Sequence, residues 1–108
     1  MSYLDRGWLP KVFVYIVGQA EEAGPHKIGV CNRPFGTEDS RKLPDIQYGN
    51  PREVFWRHHV GFATERLAAD VEQRFKQEMA AYRIRGEWFA VDLATATRVL
   101  NEIALRVA

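Results

Sequence analysis

Cysteine is nearly absent from this chain: Cys31 is the only one in 108 residues. An internal disulfide and a cysteine-based zinc cluster are therefore excluded. No apolar run approaches the ~20 residues that a membrane-spanning helix needs. Residues 1–10, with Asp5 and Arg6 among them, hold no apolar run of signal-peptide length. The expectation from both is a reducing, cytoplasmic setting without membrane association. A dominant charge is missing too, since 15 Lys and Arg stand against 14 Asp and Glu, a net charge of +1. Proteins that cover long stretches of duplex carry a strong basic excess. Any contact with nucleic acid must then be local, a basic cleft in a mixed surface. Internal repeats and low-complexity segments are also lacking.

What is present is enough apolar substance for one core. At 108 residues and 46% hydrophobic composition the chain is a single domain, 1–108, and it is too apolar for a disordered one. Residues 12–17 (Val-Phe-Val-Tyr-Ile-Val), bounded by Pro10 and Gly18, predict a buried strand. A polar loop containing Gly24-Pro25 leads to a second strand over 26–31, and short separation makes an antiparallel hairpin the simplest connection. Residues 32–40 read as a loop, and Arg41 to Gln47 as a short helix that tolerates Pro44 in its first turn. A third strand is expected over 53–62, with Val54, Trp56, His58 and Val60 on one face and Phe55, Arg57 and His59 on the other.

The strongest helical signal covers 64–82, where Leu67, Val71, Phe75 and Met79 recur every four residues and Thr64 is placed to cap. Gly86 is a stop signal, and Asp92 opens a last helix to residue 107, with Leu93, Val99, Leu100, Ile103 and Val107 on its apolar side. The expected architecture is α+β: a small three-stranded, mainly antiparallel sheet flanked by helices, with core 12–89 and C-terminal helix 92–107.

Five landmarks follow one another in order: the strand bearing Tyr15; Lys27-Ile28-Gly29; Arg41-Lys42-Leu43; Gly49-Asn50-Pro51; and Gly86-Glu87-Trp88-Phe89. Together they resemble the GIY-YIG nuclease superfamily, in the branch typified by phage T5-type and meiotically-upregulated-gene-type domains. The resemblance implies an endonuclease or nucleic-acid-processing domain that acts on phosphodiesters with a divalent metal, Mg²⁺, and a phage or mobile-element origin. The alternative on the same fold is a catalytically degenerate module that binds nucleic acid or protein.

Phosphodiester cleavage needs a positioned water, a base, and positive charge on the phosphate oxygens. By the resemblance, Tyr15 stands near the water, and Lys27 takes the second motif's tyrosine position, where its ammonium serves as a point charge. The phosphate-gripping cation falls on Lys42, with Arg41 beside it and Arg33 in the preceding loop as a further candidate. Arg grips phosphate with two parallel donors and Lys does not, so the two are not equivalent. Arg33, Arg83 and Arg85 are candidates for a basic, nucleic-acid-binding rim. When the helix register is fixed by Leu67, Val71 and Phe75, the superfamily's metal-holding glutamate falls on Ala68. Residues 65, 68 and 72 share a helical face, so Glu72, or less directly Glu65, is left to present the carboxylate. Glu72 is preferred because helical side chains lean toward the N-terminus. His58 and His59, adjacent in a strand, must point to opposite faces and do not together ligate one metal.

Overall fold

The β-branched and aromatic run expected to form the first strand does so as β1 (Val12–Gly18), which pairs antiparallel with β2 (His26–Cys31) on one side and β3 (Phe55–Phe62) on the other. The structure is a computed structural model and describes residues 12–32, 46–48, 50 and 52–107. Helix α1 (Glu65–Glu78) and a 3₁₀ turn (Ala80–Tyr82) follow β3, then β4 (Arg83–Arg85), β5 (Trp88–Phe89) and helix α2 (Leu93–Val107). The sheet order is β3-β1-β2-β5-β4, and every pairing in it is antiparallel.

The three-stranded sheet expected from sequence is thus corrected to five strands. The two additional strands are three and two residues long, too short to show an alternating pattern. They flank Gly86, expected from the sequence only as a stop signal. Gly86, at φ 55°, turns the chain between them, a backbone conformation that glycine adopts without steric cost. The expected helix over 64–82 is also divided, into α1 and the 3₁₀ turn. Of the short helix expected from Arg41 to Gln47, a helical turn at 46–48 is described and the remainder lies outside the described residues.

The two faces of the sheet carry different cores. On one, Val12, Val14, Ile16, Ile28 and Phe62 meet Ala68, Val71, Phe75 and Met79 of the α1 layer and Ala96, Leu100 and Ile103 of α2. Phe75 stands edge-on to Phe89, ring centroids 5.6 Å apart, joining α1 to β5. On the other face, Tyr15, Val17 and Cys31 pack with Phe13, Ile46 and Trp56. Both helices are held at their starts by side-chain caps: Thr64 Oγ1 accepts from Leu67 N at 3.2 Å, and Asp92 Oδ1 from Thr95 N at 2.7 Å.

The simple alternation expected along the third strand is broken by a bulge. Ile16 lies opposite His58 but Val17 lies opposite Trp56, so Arg57 is the extra residue. Trp56 is thereby turned to the Tyr15 face, away from the face of His58 and Val60. Its ring meets that of Tyr15 edge-on at 5.0 Å. The adjacent histidines point apart: His58 Nε2 lies 2.8 Å from Asn101 Oδ1 on α2, whereas His59 stacks edge-on with Phe13 at 5.7 Å.

Candidate functional site

β5 pairs with β2 at His26 and Lys27, and one more backbone bond follows, from Ile28 N to the carbonyl of Glu87 at 3.2 Å. There the hairpin turns away. The remaining edge of β2 opens on a cleft of about 490 Å³, lined by Tyr15, Lys27, Gly29, Val30, Ile46, Glu72 and Glu87. Because the cleft lies at an edge, it receives side chains from both layers of the domain. Tyr15 and Lys27 reach it from one sheet face, and Glu72 from helix α1 on the other.

Tyr15 and Lys27 share a face because their cross-strand partners, Gly29 and Val17, alternate in register with them. The Tyr15 ring lies across Gly29, where a Cβ would collide with its Oη and Cζ. This is the physical reason for a glycine inside a strand at that point. Tyr15 is 2% exposed. Burial, followed by the charges of Glu87, Cys31 and Glu72, pushes its phenol well above the ordinary tyrosine value. At neutral pH it is therefore a hydrogen-bond donor and not a phenolate.

Lys27 Nζ lies 5.7 Å from the Tyr15 ring centroid and donates to Glu87 Oε1 at 3.2 Å. Glu87 Oε2 in turn meets Lys76 Nζ at 3.0 Å, and Lys76 Nζ lies 3.5 Å from Glu72 Oε1. The result is an alternating chain, Lys27–Glu87–Lys76–Glu72, with two ammonium groups against two carboxylates. Burial raises the Glu72 pKa above its usual 4.5; Lys76 opposes this, and Glu87 adds to it by charge and a shared hydrogen bond. For Glu87 burial also pushes upward, but the hydrogen bond from Lys76 and the charge of Lys27 outweigh it and hold the carboxyl below 4.5. Lys76 is raised despite its burial, through its bonds to Glu87 and Glu72.

Of the residues singled out in the sequence, Tyr15, Lys27 and Glu72 come together in this cleft. Ala68 does not face it. Its side chain is fully buried in the main core, so the position that the resemblance gives to the superfamily's glutamate points into the sheet, whereas Glu72 lines the cleft. Glu65 is exposed at the first turn of α1 and is not among the lining residues. Arg83 and Arg85 are exposed on β4, at the sheet's edge, where Arg83 Nε donates to the carbonyl of Gly86 at 2.8 Å. Arg33, Arg41 and Lys42 lie outside the described residues.

Two residues paired with Lys27 and Glu72, namely Glu87 and Lys76, were not singled out in the sequence. Glu87 lies within the Gly86-Glu87-Trp88-Phe89 landmark. Lys76 is four residues after Glu72, a spacing that brings opposite charges together on a helix.

A divalent ion of the Mg²⁺ type takes oxygen ligands and is satisfied by one or two carboxylates with water. Glu72 and Glu87 supply carboxylate oxygens at one point of a polar cleft, and it is chiefly burial that raises the Glu72 pKa. The donor chemistry fits such an ion. Among the described residues there is no group of three or more His, Cys, Asp or Glu side chains that would form a closed metal cage, and no helix long and apolar enough to cross a membrane.

No curated protein and no solved structure matches this chain. A family model, that of the T5orf172 domain, matches residues 12–104 and so spans every element of the fold from β1 into α2. The chain belongs to the T5orf172 domain family, a GIY-YIG-like, phage-type endonuclease-related family.

Proposed function

We propose that this domain is a nuclease that draws a nucleic-acid strand into the cleft at the β2 edge and hydrolyses a phosphodiester there with a divalent metal. The observation that carries the reading is the meeting of Tyr15, Lys27 and Glu72, from two strands and a helix, around one opening. Family membership adds a nuclease-related background.

In this reading the protonated Tyr15 phenol orients the attacking water or a phosphate oxygen by donating a hydrogen bond. Lys27 places positive charge beside it, and Glu87 fixes the Lys27 ammonium in position. Glu72, with Glu87 adjoining, would hold the metal, which when bound polarises the phosphate and lowers the pKa of its water. Arg41 or Lys42 is proposed to bind the scissile phosphate, and Arg33, Arg83 and Arg85 to contact the flanking backbone.

The test is Mg²⁺-dependent cleavage of supercoiled plasmid, linear duplex, single-stranded DNA and RNA by the full chain, alongside Glu72→Gln. Cleavage by the wild type that falls to background in Glu72→Gln supports the reading, and equal cleavage by both removes Glu72 from it. The lysines already neutralising both carboxylates favour a second reading, a binding module that has lost catalysis. Salt-dependent binding of nucleic acid with no cleavage of any substrate would select that one.

A further inference from the structure

Lys76 lies between the two carboxylates that a divalent ion would need. Its Nζ is 3.0 Å from Glu87 Oε2 and 3.5 Å from Glu72 Oε1, and Lys27 engages the remaining Glu87 oxygen at 3.2 Å. An ammonium and a metal ion cannot share the same oxygen ligands at these distances. Lys76 and Glu87 also line a second hollow of about 410 Å³, together with Gln73, Gln77, Arg83 and Phe89. The flexible lysine stem therefore has room to move its head group out of the pair. Such long stems carry considerable rotamer freedom.

We propose that Lys76 is a tethered cation that competes with the divalent ion for Glu72 and Glu87. In the free domain it keeps the cleft close to charge-neutral. The metal enters by exchange, as the ammonium leaves the carboxylates for the neighbouring hollow. This rests on Glu72 as the metal-holding carboxylate. It adds that the domain's own side chain sets how tightly the ion is held.

The experiment is a Mn²⁺ titration of the full chain without nucleic acid, followed by the electron paramagnetic resonance signal of the free ion. Lys76→Met and Lys76→Gln remove the competing charge and should bind Mn²⁺ about tenfold more tightly than the wild type, the scale expected for two partly exposed ion pairs. Lys76→Arg keeps the charge and should stay near the wild type. Adding Glu72→Gln to Lys76→Met should abolish the gain. No tightening in either neutral variant overturns the proposal, as does a gain that survives the loss of Glu72. A second measurement needs no substitution: Mg²⁺ added to the wild type should shift the NMR signals of the Lys76 side chain, and signals that stay put at saturating ion overturn it equally. Binding is read apart from cleavage, so the outcomes separate. A wild type that cuts DNA without any Lys76 effect leaves the nuclease reading standing, and tight Mn²⁺ binding by Lys76→Met with no cleavage by any form removes the nuclease reading alone.

Discussion

Tyr15 lies over the backbone of Gly29, its cross-strand partner, so closely that the strand has no space for a Cβ at that position. Two landmarks that the sequence offered separately, a strand tyrosine and a glycine after Lys-Ile, are thus one contact. Gly29→Ala should cost about 1–3 kcal/mol, the usual scale for overpacking, when measured by urea denaturation. In a Tyr15→Ala background the same change should cost far less, because the colliding atoms are gone. Equal cost in both backgrounds would show that the ring is not the obstacle.

Tyr15→Phe and Lys27→Met test the cleft's chemistry. Both are expected to leave far-UV circular dichroism unchanged and to reduce Mg²⁺-dependent cleavage, Tyr15→Phe by removing a positioned hydrogen-bond donor, an effect of roughly 10²-fold in comparable sites. Because burial holds the phenol above its usual range, the wild-type rate should show no tyrosine titration between pH 7 and 9. A rate that climbs with phenolate formation in that window would contradict a donor role.

Glu87 gives the fold an acid sensitivity. Its carboxyl is held below 4.5 in the folded chain, so its ion pairs contribute stability above the unfolded value and lose it as pH falls through the folded one. Glu72 is shifted the opposite way; its ionisation opposes folding as pH rises from 4.5. Glu87→Gln should therefore flatten the loss of stability below pH 4.5, and Glu72→Gln should flatten the change above it. Thermal melts between pH 3 and 7 would show the two slopes, and their reversal would refute the assignment. The effects should be small, since both groups are partly solvated.

Arg83 and Arg85 are exposed on the edge strand β4. If nucleic-acid backbone passes along this edge, changing both to Gln should weaken binding uniformly across sequences. It should also reduce the slope of log K against log salt by about 2. An unchanged slope, measured by fluorescence anisotropy, would place the backbone elsewhere.

The sequence made the long elements readable and the short ones not. β1, β2, α1 and α2 each carry enough residues for a period to emerge, and their limits fall within a few positions of the expected ones. β4 and β5 are defined by what they pair with, a property of the folded sheet and not of any local pattern. The turning of Trp56 depends on a bulge, set by the register with β1. The site divides in the same way. Of the residues that line the cleft, Tyr15, Lys27 and Glu72 were singled out by landmarks and helical spacing. Glu87 was not, because its role arises from a hairpin that places it beside a lysine 60 positions away. The position that the resemblance gives to the superfamily's glutamate, Ala68, is buried in the main core: hydrophobic spacing gives the buried stripe of a helix but not which flank borders an opening.

β5 is two residues long, and its brevity acts as a ruler. Were the hairpin longer by one rung on each arm, a neighbouring backbone would run alongside Gly29, and the doorway would be sealed without alteration of a single residue that lines it. Access here is governed by where hydrogen bonding stops. Insertions and deletions in the β4–β5 turn therefore form a class of change to which this domain should be far more sensitive than a surface hairpin ordinarily is, and a lengthened turn should yield a chain that folds, melts normally and admits nothing.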